Sequence, residues 1–300
     1  MKTKSSFLKF GALVLTMAVL SVSCKKEHQE KDEDTSEVQD HSYAENASND
    51  IVNIASQASD VNSGNLSTYR SESSEGILSA CATVKRDTIN HIDSVIFNNS
   101  NCLDGRTRNG ILILNYSAST NGAKHYRDPG FQCSVTSNNY SVDGNQINII
   151  NKTITNITPV GFNPSTTNLT WNVTGHIQVV KTAGTHDFSY NKVKTLLNTS
   201  DANVYNGSAT AISWNLARVG INGSSSGTTA KGKAYKAGVT SQLIRDFGGC
   251  SIGGRHPFIQ GTFEFTAVGK PTHYFDFGDG ACDLNATVTV KGKVHNITLP

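Results

Sequence analysis

The chain has 300 residues and a mass of 32.1 kDa, room for one or two ordinary domains. Hydrophobic residues make up 37% and charged residues 17%, and 29 Asn with 26 Gly fill the remainder, a mixture that favours turns and disfavours helix interiors. Net charge is +2 overall but segregated: residues 1–24 hold three Lys and no acid, residues 25–50 nine acids against three Lys, and residues 51–300 hold 20 bases and 15 acids, too mild and too scattered for nucleic-acid binding.

Lys2, Lys4 and Lys9 precede a short apolar run from Phe10 to Leu20, then Ser21, Val22, Ser23 and Cys24. This is the basic, apolar and small-residue order of an export signal, too short to span a bilayer. A Cys directly after the small residues resembles the lipobox of bacterial lipoproteins, with Ser21 where Leu is usual. The resemblance implies a signal over 1–24 and a lipidated Cys24 as the mature first residue, anchoring the chain to the outer membrane. Lys25–Asp50 reads as an acidic tether. Its Asp32-Glu33-Asp34 block resembles the surface-export signals of Bacteroidota lipoproteins, against a reading as a solvated linker, so the periplasmic and the external face both stay open for the body.

Ala47, Ile51, Ile54, Ala55 and Ala58 recur at helical spacing, which predicts a short helix over 43–60 within a tether of 25–75. From 76 to 300 the period is two. Leu169, Trp171, Val173, Ile177 and Val179 share one face of a strand, as do Ile212, Trp214 and Leu216, then Ile259, Phe263 and Phe265, then Val288 and Val290. Asx-Gly pairs at Asp104-Gly105, Asn109-Gly110, Asp143-Gly144, Asn206-Gly207, Asn222-Gly223 and Asp279-Gly280 predict hairpin turns. Ser224–Thr229 reads as an exposed loop. The expectation is an all-β domain, an antiparallel β-sandwich or barrel-like body with a short N-terminal helix.

Val95-Ile96-Phe97 followed by Cys102 is echoed by Phe275-Asp276-Phe277 followed by Cys282, and each has a Cys upstream, Cys81 and Cys250. Two related halves would explain the echo. An exported chain meets an oxidising compartment, so local pairing predicts Cys81–Cys102 and Cys250–Cys282, with Cys133 a buried small hydrophobe on a strand.

The Cys-x-x-Val at residue 81, the Cys102-Leu103-Asp104-Gly105-Arg106-Thr107-Arg108 turn and the terminal Phe-Asp-Phe-Gly-Asp-Gly-Ala-Cys-Asp resemble a family of Bacteroidota surface lipoproteins with a Cys-Asp-Gly-Arg-Thr-Arg-like motif. The resemblance runs from about residue 40 to 300. It implies location and architecture and adds nothing about catalysis.

Gly249-Cys250-Ser251-Ile252-Gly253 matches a nucleophile elbow in letters, but that device needs a following helix. Gly227 to Lys233 has phosphate-loop spacing, with Ala234 where Ser or Thr would hold magnesium. Asp276, Asp279 and Asp283 around a Gly turn are candidate calcium ligands, against a reading as turn caps. Arg106 and Arg108 are candidates for carboxylate or glycan binding. The histidines show no metal-ligand spacing, and no cofactor or metal is expected. Asp87-Thr88-Ile89 and Asp93-Ser94-Val95 resemble the Asp-Ser/Thr-aliphatic O-glycosylation site of Bacteroidota envelopes, which makes Thr88 and Ser94 candidates for modification. The reading is a non-enzymatic envelope lipoprotein with a glycan or protein ligand. A structural envelope component and a secreted hydrolase on a β scaffold are the alternatives.

Overall fold

A computed structural model describes residues 35–60, 81–102, 104–207, 210–253 and 256–299. Cys24, the segment before Thr35 and the second linker at 61–75 lie outside them. From Thr35 onward the chain is one compact unit. Among the described residues it is all-β with one long helix, as the period of two predicts, and thirteen strands form one antiparallel sheet.

The strands are β1 (Ala82–Asp87), β2 (Ile92–Asn101), β3 (Thr107–Asn115), β4 (Gln132–Val142), β5 (Asn145–Asn156), β6 (Thr170–Lys181) and β7 (Gly184–Leu196). They continue as β8 (Arg218–Thr228), β9 (Ala234–Asp246), β10 (Gln260–Ala267), β11 (His273–Asp279), β12 (Asn285–Val290) and β13 (Lys293–Thr298). Each pairs with the next in sequence, a pure meander. Asp143-Gly144 makes the β4–β5 turn, both residues at positive φ (49° and 78°). Asn109-Gly110 and Asn222-Gly223 do not turn the chain. They lie inside β3 and β8, where the pairing register shifts, and the glycine's positive φ builds a bulge that bends the strand. Ser224–Thr228, expected as loop, is the second half of β8, with Ser225 turned inward. Ile212, Trp214 and Leu216 are not a strand face either. Trp214–Leu216 is a single 3-10 turn that leaves Leu216 exposed.

The helix α1 (Ser36–Asp60) starts before the expected 43 and belongs to the body rather than to a tether. Its 25 residues make a rod of about 37 Å, matching strands of 11–13 residues. Between His41 and Ser59 it is buried nearly all round, apolar and polar positions alike. Its partners come from strands far apart in the meander. Arg86 of β1 donates to the Ala58 carbonyl, Arg108 of β3 to Asp50, Lys152 of β5 to Ser48, and Ser225 of β8 meets His41. Phe263 and Phe265 of β10 pack on His41 at centroid distances of 5.4 Å. One sheet curls around one helix.

The helix carries five acids and no Lys or Arg. The inner face of the sheet supplies the opposite charge. Arg108, wholly buried, forks onto Asp50 (3.1 and 2.7 Å) and onto Asp104 of the β2–β3 turn (2.9 and 2.6 Å). Burial works against the Arg108 charge, yet the two carboxylates raise its pKa above the ordinary value, and Asp104 is lowered despite its own burial. Lys192 pairs with Glu45, Lys181 with Asp40, and Arg245 donates to Asn46. Lys152 donates to Ser48 and to the Tyr190 hydroxyl at 2.7 Å, and burial draws its pKa down to about 7, opposed by Glu45. At the C-terminus of the helix, Arg86 and His125 meet the Ala58 and Ser59 carbonyls, the end where positive groups are favoured.

Both expected disulfides are present, with Cα–Cα distances of 5.0 Å for Cys81–Cys102 and 5.2 Å for Cys250–Cys282. Each brackets one hairpin, β1–β2 and β10–β11. Cys133 is free and buried on β4, and burial pushes its thiol pKa up.

Truncating Asp50 to Ala leaves Arg108 buried beside one carboxylate instead of two. Urea unfolding is expected to show a loss of about 3–5 kcal/mol, the cost of breaking a buried pair from one side. A second expectation concerns acid. Burial lowers His41 well below its ordinary value and His186 to about 4, and neither ring nitrogen of His186 has a hydrogen-bond partner among the described residues. The unfolded chain protonates these rings near 6.5, so the stability they contribute is present above that pH and lost as pH falls toward 4. For His186 the loss by pH 5 is roughly 2 kcal/mol. Melting curves at pH 7 and pH 5 measure it, and His186→Phe should remove a large part of the drop.

Candidate functional site

The outer face of the sheet is polar, and across β5–β10 it sinks into an open trough of about 880 Å³. The pairing registers show how the trough is built. One row of outward side chains crosses the strands as Thr174, Asn191, Ser224, Gly238 and Glu264, each the partner of the next. Glu264 in turn faces Tyr274 of β11. A second row runs Asn151, His176, Ser189, Ser226, Lys236 and Thr266. The bulges at Ile149/Asn151 in β5, Ile221/Ser224 in β8 and Gln260/Thr262 in β10 bend the strands that form it.

The trough offers hydroxyls, amides, one cation, one anion and a His–Asp pair. His176 Nε2 lies 2.8 Å from Asp187 Oδ2, and Gln178 donates to the same oxygen at 3.0 Å. Outside the bulges the backbone groups of these interior strands pair in the sheet ladder, so the trough offers mainly side chains. Tyr274, 52% exposed, is the one exposed aromatic among the described residues. It stands at the β11 end of the first row. Trp171, on its strand stripe, and Trp214, on the 3-10 turn, are both buried and pack with Tyr126.

A smaller pocket of about 490 Å³ holds Asp276, Asp279 and Asp283 with Asn285 and Asn296. Asp276 accepts from the Gly278 amide at 2.8 Å and Asp283 from the Asn285 amide at 2.9 Å, the work of turn caps. Among the described residues no group of three or more His, Cys, Asp or Glu is placed to hold a metal ion, so the three aspartates do not form the calcium cage their spacing suggested.

The other sequence candidates fall apart in space or serve the fold. Arg108 does bind carboxylates, but they are the chain's own, and Arg106 meets Asp143 at 3.4 Å. Gly249–Gly253 lies in the β9–β10 loop with Cys250 in a disulfide, and β10 rather than a helix follows. Gly227–Lys233 is the end of β8 and its hairpin turn, closed by Thr229 and Lys233. Thr88 is exposed in the β1–β2 turn beside Ile89. Ser94 is half-buried on β2 between β1 and β3. The trough had no sequence signal, because its residues come from six strands and meet only through register.

Compared with protein-family models, with curated proteins and with solved structures, the chain finds no match. The trough's chemistry is the remaining guide to function.

Proposed function

We propose that the chain is a lipid-anchored protein of the outer membrane, non-enzymatic, whose β body holds a glycan in the outer trough. The observation that carries the reading is Tyr274. An exposed ring one strand beyond Glu264, next to a hydroxyl- and amide-lined trough, is the arrangement a sugar needs, one apolar face to stack on and many polar groups to bond. A protein ligand is less favoured. Interior strands present no free edge to an added strand, and the trough lacks the apolar anchors that carry protein interfaces. One Lys against one Glu along the rows also suits an uncharged polymer better than a nucleic acid.

The anchor reading rests on the export-type N-terminus and Cys24. No helix among the described residues is long and apolar enough to cross a membrane. With α1 inside the body, ten residues separate Cys24 from Thr35. Fully extended they reach at most about 35 Å, so the lipid holds the body close to the bilayer. Two acyl signals at one Cys give stable attachment. Thr88, exposed on a turn, is the better placed of the two candidate O-glycosylation residues.

Two experiments test the reading. Replacing Cys24 with Ala is expected to move the protein from the membrane fraction to the soluble one, and continued labelling by a palmitate analogue would count against the anchor. On a glycan array the mature chain is expected to retain at least one oligosaccharide, and Tyr274→Ala to weaken it about tenfold, the worth of one stacked ring. Retention of no sugar, or turnover of the retained one, would overturn the binding assignment.

A further inference from the structure

Glycines inside strands weaken them, so each should have a local reason. Between β6 and β10 most do. A Cβ on Gly175 would lie 2.5 Å from the Tyr190 hydroxyl, and one on Gly227 would collide with the Asp187 carbonyl. Gly184, Gly223 and Gly261 have positive φ (135°, 124° and 109°), and Gly220 lies under the Gln242 side chain. Gly238 has no such reason. Its φ is not in the left-handed region, and a Cβ built there meets nothing within 4 Å. It faces outward between Lys236 and Thr240, in the middle of β9, and its cross-strand partners Ser224 and Glu264 line the trough.

We propose that the open space above Gly238 is clearance for a linear oligosaccharide that lies across the strands along the row Thr174, Asn191, Ser224, Gly238, Glu264 and Tyr274. The inference rests on the glycan reading and gives it a direction, a length and a contact point. Five interstrand spacings of about 4.8 Å make this row about 24 Å long, the scale of a tetrasaccharide. Tyr274 stacks one terminal sugar. Glu264 accepts from its hydroxyls, Ser224, Asn191 and Thr174 bond the sugars that follow, and the chain passes over Gly238, where any side chain would lift it off both neighbours. The second row, with His176 and Lys236, borders the same path and meets hydroxyls on the other side of the chain. Isolated monosaccharides would fill one end only, so affinity should build with length.

The test uses the detergent-solubilised mature chain, with cellotetraose, chitotetraose and mannotetraose and their disaccharides as probes in titration calorimetry. Wild type is expected to bind one tetrasaccharide at least about tenfold more tightly than its disaccharide. Gly238→Val should weaken that tetrasaccharide about tenfold or more, while Tm stays level or rises by about 1–3 °C because a strand glycine has been removed. Lys85→Ala, on the outer face of β1, should leave both quantities unchanged. If Gly238→Val lowers Tm, Gly238→Ala decides on the same criterion. Wild-type affinity in a stably folded Gly238 variant would overturn the clearance, and with Tyr274→Ala still weakened the glycan reading would stand. Equal affinity for disaccharide and tetrasaccharide would overturn the length. No binding of any probe by wild type would overturn the inference and, if the array is also blank, the reading beneath it.

Discussion

Arg108 has no exposed surface, and it grips two carboxylates, one on the helix and one on the turn that precedes its own strand. That contact states the constraint on which the fold depends. An acidic helix has been placed inside a sheet, so its charges must be met from the sheet's inner face, one by one. Lys181, Lys192, Lys152, Lys194 and Arg245 meet helix residues from Asp40 to Asn53, from strands β5, β6, β7 and β9. Buried pairs of this kind add little net stability over apolar packing. What they fix is register. Sliding the helix by one turn would leave several buried charges unmatched at once, whereas its many Ala and Ser side chains would tolerate the slide.

The same sheet then presents two surfaces with opposite demands. Inward positions alternate Trp171, Phe188 and Phe265 with paired cations, and they set how tightly the sheet can curl around a helix. Outward positions are free of that demand, and Ser, Thr and Asn occupy them. Bulges in β5, β8 and β10 bend the strands on which the trough lies, and the trough's lining is mostly polar.

The strands were legible because their apolar residues keep a period of two, and the disulfides because each closes a neighbouring hairpin. The helix was only half legible. A helix buried all round has no single apolar stripe, so Glu37, Asp40 and Glu45 read as tether although they face the sheet or its turns. Lys152, Lys192 and Lys194 are the mirrored case, inward residues whose chemistry is that of an outer face. Asn109-Gly110 and Asn222-Gly223 carry the same Asx-Gly pattern as Asp143-Gly144. A bulge and a type I′ turn ask the same thing of glycine, and only the neighbouring strand distinguishes them. The trough was beyond sequence reading, because Asn191, Ser224 and Glu264 become neighbours through three registers, two of them shifted by bulges that local sequence does not announce.

An open meander has two edges, and β1 and β13 expose theirs in chemically guarded form. Lys85, Arg86 and Asp87 occupy β1 and Lys293 begins β13, charges that discourage pairing with another chain. The disulfides lie toward the same two ends. Cys81–Cys102 ties the first edge strand to its neighbour, and Cys250–Cys282 ties the loop before β10 to the loop after β11. Arg86 then joins that first edge to the end of the helix through the Ala58 carbonyl. Since no ladder closes β1 onto β13, the curl is held by the helix in the middle and by crosslinks near the rims. Such a sheet keeps its outer curvature without being sealed, and the β11 strand that carries Tyr274 sits next to one of the two crosslinks. Tyr274, one strand beyond the trough, is thus mounted on one of the braced parts of the sheet, and under the glycan reading proposed above its position would be set before a ligand arrives.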